Sequence, residues 1–305
     1  MRLRTRLTAG RTWQVLVAAA VAGSAAVVSP AAVAAGPATM PYSEIGMPAG
    51  RYADHAPAGW VLTIHGGGWR GVGVGATKLV NPAAAWLNRA GWATLNIDYR
   101  AGADSEVDVR AFYDQLRAHV GPRTPICALG QSAGAQLAMM LAARRPRVAC
   151  VISEGGPFDL AALANQTAYD PTTGGLSRQG PLDVLTLAMK AFGEAGLVAH
   201  SPVTYAPRIR AAVLASQSTH DALLPRAQLD VLREALPSAR TMALENGQEP
   251  FVHAGISTSA VHAYNQAKRV LLNDVTRATR RASGARGTPP HGLDGSVDRA
   301  STIRR

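Results

Sequence analysis

From residue 60 onward, short runs of apolar and β-branched residues alternate with stretches whose apolar positions recur every three or four residues. A mostly parallel sheet with helices on its faces produces this alternation, because each strand is buried on both sides and each helix on one. The pattern predicts strands at 60–64, 92–97, 125–129, 148–153, 211–215 and 240–244. It predicts helices at 81–89, 106–120, from 135 to about 144, 226–236 and 257–277. The fold class is therefore α/β, with about six strands, since the prolines at 41, 48 and 57 leave little room for a strand pair before residue 60.

Three segments break the alternation. Residues 1–35 place Arg2, Arg4, Arg6 and Arg11 before an apolar, alanine-rich run at 15–28 and the small residues Ala32 to Ala35. That order is the order of an export signal, and the run falls short of the ~20 residues that span a bilayer. The expectation is a cleaved signal peptide, a secreted protein and no stable membrane span after cleavage. Residues 159–207 form a connection too long for an ordinary loop, with Pro171, Gly174, Gly175, Gly180 and Pro181 and one apolar helix around 182–189, and read as a cap insertion. Residues 280–305 mix Gly, Pro, Ser and Arg without apolar periodicity and read as a disordered basic tail after a domain of 36–279.

Charge changes the picture little. The net charge of +11 is concentrated in the leader and the tail, where six arginines face only Asp294 and Asp298. No basic stripe interleaved with aromatics lies between them, which argues against a nucleic-acid partner. Cys127 and Cys150 are too few for a disulfide framework, and no Cys/His spacing suits a metal. The two cysteines fall on strands expected to be neighbours, so a single bridge and two buried thiols both remain open. Neither a cofactor nor an oligomeric state is indicated.

The chemistry lies in four short motifs. Gly130-Gln131-Ser132-Ala133-Gly134 follows a strand and opens a helix, the context in which a serine sits on a tight turn that only flanking glycines permit. His65-Gly66-Gly67-Gly68-Trp69 leaves the first strand through three glycines, so that backbone N–H groups can approach a developing negative charge. Asp221 lies beyond the strand at 211–215, and His253 lies in the loop after the last strand. Asp183 and Glu194 are the fallback acids, and Asp221 could alternatively cap the following helix. His220, His262 and His65 are the rival bases. Asp98-Tyr99-Arg100 reads as bracing for the glycine loop, and Trp69 as pocket lining or packing.

Together these motifs resemble the α/β-hydrolase esterase and lipase group that carries an HGGG oxyanion motif, over residues 58–278. The resemblance implies Ser132 as nucleophile, His253 as base and Asp221 as acid. It also implies an oxyanion hole from the N–H groups of Gly67, Gly68 and Ala133. The expected substrate is a small ester, cleaved through an acyl-enzyme. A peptidase or acyltransferase would use the same triad, and a binding protein could retain the fold without the chemistry.

Overall fold

The structure, a computed structural model, describes residues 43–71, 78–245, 253 and 260–284. The expected leader at 1–35 and the tail from 285 onward lie outside the described residues. Seven strands form the main sheet in the order β1 (Ser43–Gly46), β3 (Ala93–Ile97), β2 (Trp60–Ile64), β4 (Ile126–Gln131), β5 (Cys150–Glu154), β8 (Ala212–Ser218), β9 (Arg240–Leu244). Six are parallel, as the pattern predicts. The seventh, β1, was not expected: four residues pair antiparallel with the edge of β3, Ser43 opposite Ile97 and Gly46 opposite Thr94. A strand this short needs only one side of its ladder filled, so the prolines around it do not prevent it.

Strands β2 to β5 are buried along nearly their whole length and read as the continuous apolar runs that helices on both faces demand. On one face lie α2 (Asp104–Val120), α3 (Ala133–Arg144) and α5 (Ala227–Ala235), packing Phe112, Leu116, Leu137, Leu229 and Leu232 into one core. On the other lie α1 (Asn81–Arg89) and α6 (Val261–Ala282), packing Leu87, Tyr264 and Leu272 into a second. Helix α6 runs to Ala282, past residue 280, where the tail was expected to start. The cap holds α4 (Gln179–Phe192), as its apolar run predicts. It also holds a hairpin of two-residue strands, β6 (Ala168–Tyr169) and β7 (Leu176–Ser177), too short to leave a period.

Two consequences of the strand order matter for function. The chain goes from β2 outward to β3 and then returns to β4 on the other side of β2. The carboxyl ends of β2 and β4 therefore flank a topological switch point, where open α/β sheets present ligands. Ile64 pairs with Gly130 in that register, so the glycine loop and the serine turn leave adjacent strands at the same height. Further along, Cys127 on β4 and Cys150 on β5 are joined by a disulfide, with Cα atoms 4.5 Å apart. Closing a loop of this length stabilises a fold by about 3 kcal/mol.

Candidate active site

Ser132 sits between β4 and α3 at φ 54° and ψ −120°, a conformation that costs an L-residue roughly 1–3 kcal/mol and exists only where the surroundings impose it. The turn is held by several contacts. The Ser132 N–H donates to the Glu154 carbonyl at 2.9 Å, and the Ala135 N–H donates to the Ser132 carbonyl at 2.9 Å. A Cβ on Gly130 would collide with the Gly134 carbonyl, and one on Gly134 with the carbonyls of Ile64 and His65. The glycines at both positions are steric requirements of the turn.

The structure brings the three predicted side chains together. Ser132 Oγ lies 2.8 Å from His253 Nε2, and His253 Nδ1 lies 2.8 Å from Asp221 Oδ2. This is the geometry in which the Nδ1–H donates to the carboxylate and Nε2 is left to accept the serine proton. Asp221 is buried, and its carboxylate is fully oriented. Oδ1 accepts the N–H groups of Leu223 and Leu224 at 2.8 and 3.0 Å, and Oδ2 also accepts from Gln217 Nε2 at 2.5 Å. It does not cap α5, whose N-terminus carries no side-chain cap.

The alternatives fall elsewhere. Asp183 is exposed on the cap and accepts from Gln179, and Glu194 is exposed as well. His220 packs against Tyr169, and His262 is exposed on α6. His65 is buried, with Nε2 2.9 Å from Asp98 Oδ1 and its ring stacked on Tyr99 at 4.3 Å. The Tyr99 hydroxyl donates to the carbonyls of His65 and Gly66 at 3.0 and 3.1 Å. Burial, with Asp98 nearby, pushes that phenol well above its ordinary pKa, so it remains a donor. Asp98 and Tyr99 thus brace the glycine loop.

In that loop Gly67 and Gly68 have φ of 111° and 64°, values only glycine adopts freely. Ala133 opens α3, so its N–H has no acceptor within the helix. Gly66 packs against the serine turn, and a Cβ on it would stand 3.0 Å from Ser132 Cβ. Trp69 closes the loop at φ 56° and packs rather than lining an open pocket. It is 2% exposed, donates Nε1–H to Gln136 Oε1 at 2.9 Å and meets the edge of Phe192 from the cap. The residues sequence reasoning missed are Gln217, which donates to Asp221, and Glu154, whose carbonyl accepts the Ser132 N–H.

A seven-stranded sheet of this order, with a serine turn after β4 and a cap between β5 and β8, defines an α/β-hydrolase fold. The chain belongs to the BD-FAE family, which matches residues 45–236. Among solved structures it is similar to a puromycin hydrolase at 20% identity and a TM-score of 0.59, over 76% of this chain and 37% of that one. It is also similar to esterase B from Lactobacillus Rhamnosis at 16% identity and a TM-score of 0.60, over 79% of this chain and 83% of that one. A third similar structure is the monoacylglycerol lipase of Paleococcus ferrophilus, at 17% identity and a TM-score of 0.52, over 77% of this chain and 98% of that one. The chain spans little more than a third of the puromycin hydrolase's length. No curated protein matches it in sequence.

Proposed function

We propose that this chain is an exported serine hydrolase that cleaves small carboxylic esters through an acyl-enzyme. The observation that carries the reading is the continuous hydrogen-bonded relay from Ser132 through His253 to a fully oriented Asp221, seated on a strained turn beneath a glycine loop. Ser132 Oγ attacks the ester carbonyl carbon and its proton passes to His253 Nε2. The oxyanion that forms is stabilised by the N–H groups of Gly67, Gly68 and Ala133. Collapse of the intermediate breaks the C–O bond, and His253 returns the proton to the departing alcohol. Water then repeats the sequence on the acyl-enzyme, losing its proton to His253, and releases the acid with Ser132 restored. The decisive experiment is labelling with a fluorophosphonate, with Ser132 as the modified residue, alongside turnover of esters and aminoacyl amides. Turnover of amides in preference to esters would replace the esterase reading with a peptidase.

The cap supports a short acyl group. Leu187 of α4 reaches over the glycine loop so closely that a Cβ on Gly68 would stand 2.7 Å from its Cδ1, and Phe192 presses on Trp69. Each methylene of a longer chain must find apolar cover to gain its ~0.8 kcal/mol, and Leu187 and Phe192 are already packed against Gly68 and Trp69. The expected profile of kcat/KM for p-nitrophenyl esters falls from acetate toward palmitate in non-micellar solution. A steady rise to the longest chain would favour a lipase.

Export is supported by the leader's composition and by the Cys127–Cys150 disulfide, which persists in oxidising compartments. The intact mass of the exported protein is expected to place its first residue at Ala35 or Gly36, with two thiols alkylated only after reduction. A mass retaining Arg2, or alkylation without reduction, would contradict one or the other half of this expectation.

A further inference from the structure

Behind the serine turn, on the face opposite α3, lies a buried charged cluster that the relay does not use. Glu154, 2% exposed at the end of β5, faces Gln131, its register partner at the end of β4. Gln131 Nε2 donates to Glu154 Oε2 at 2.8 Å, while the Glu154 carbonyl accepts the Ser132 N–H at 2.9 Å. Glu154 therefore holds two successive residues of the strained turn, one through its side chain and one through its backbone. The other carboxylate oxygen, Oε1, accepts from the Tyr264 hydroxyl at 2.8 Å and lies 3.9 Å from Lys268 Nζ. Lys268, 1% exposed, rests 4.5 Å from the ring centres of both Trp86 and Tyr264. Both Tyr264 and Lys268 belong to α6, which follows His253 in the chain.

A buried ion pair is a poor way to stabilise a fold, because desolvation offsets its attraction and apolar replacements commonly do as well. Burial pushes the Lys268 ammonium down while the Glu154 carboxylate pulls it up, and burial pushes the Tyr264 phenol up, which keeps it a donor. What this arrangement supplies is a fixed acceptor one hydrogen bond away from the nucleophile's turn. We infer that Glu154 is a positioning residue for Ser132, acting through the side chain of Gln131, and that Tyr264 and Lys268 fix its carboxylate from α6. The inference rests on Ser132 being the nucleophile.

Two routes test it in the full exported chain, reading the maximal rate of fluorophosphonate labelling at Ser132, kcat and KM for p-nitrophenyl acetate, and thermal unfolding. Gln131→Met removes the donor at a half-exposed position. It is expected to slow labelling and kcat about tenfold while KM stays within about twofold, the signature of a misaligned group rather than a lost substrate contact. The second route compares Glu154→Gln/Lys268→Met with Glu154→Leu/Lys268→Met. Both remove the charges, but only the first keeps an acceptor for Gln131, and it should label about tenfold faster than the second. Wild-type labelling by folded Gln131→Met, or equal rates for the two double variants, overturns the proposal, and Gln131→Met alone decides if the double variants fail to fold. A wild-type protein that is not labelled at Ser132 removes instead the reading beneath it.

Discussion

Ser132→Ala is expected to abolish ester turnover, a loss of about 10⁶ in kcat, with the melting transition essentially unmoved. Among the described residues, Ser132 Oγ is the nucleophile hydrogen-bonded to His253 Nε2, and the ring's other nitrogen is committed to Asp221. The fold should tolerate the change. Alanine meets the same backbone penalty at φ 54° that serine does, and the contacts holding the turn, from main-chain groups of residues 132, 135 and 154 and from the Gln131–Glu154 side-chain pair, do not use the Ser132 hydroxyl. Folded protein that turns over substrate near the wild-type rate would show that the nucleophile lies elsewhere.

Asp221→Asn is expected to lower kcat by about 10⁴ while leaving KM and the fold nearly intact. The mechanism follows from the surroundings of the carboxylate. The asparagine oxygen would stay with the N–H groups of Leu223 and Leu224, as Oδ1 does now. Its amide nitrogen would then occupy the place of Oδ2, facing the His253 Nδ1 position and the Gln217 amide as a donor. His253 can accept that N–H only by carrying its proton on Nε2, which is the atom that must be free to take the serine proton. Gln217 would lose one of its two acceptors, keeping the Leu224 carbonyl at 3.1 Å, so a modest fall in melting temperature should accompany the kinetic loss. Retention of most activity would place the acid at another residue.

Much of this site was legible because each motif has a local physical reason. The flanking glycines of Ser132 and the run at 66–68 answer to steric demands that few other residue types meet, and strands buried on both faces leave continuous apolar runs. What escaped was set by contacts between distant segments. Nothing near Ser43 announces an edge strand, since its partner on β3 is fifty residues away. Gln217 and Glu154 are polar residues closing apolar strands, a visible oddity, but their partners are fixed only once β4, β5, β8 and α6 are assembled. Lys268 was the clearest missed sign. It is one of only three lysines and lies on the buried stripe of α6 with Tyr264, Ala267 and Leu272, where a charge has no place unless an acid faces it.

The cap enters the chain between β5 and β8 and contributes none of Ser132, Asp221 or His253. It is attached to the site at several places: Leu187 lies over Gly68, Phe192 against Trp69 and Gly180 against Ala222, the His200 carbonyl accepts from Gln136 at 2.7 Å, and the Tyr169 N–H donates to the Asp221 carbonyl at 3.2 Å. Under the proposed function, the reacting groups and the segment that covers them therefore come from separate stretches of the chain, joined in part at the loop of Asp221 itself. A foreign insertion that reproduces those attachments could be exchanged for this one, changing what is recognised while the reacting groups keep their alignment.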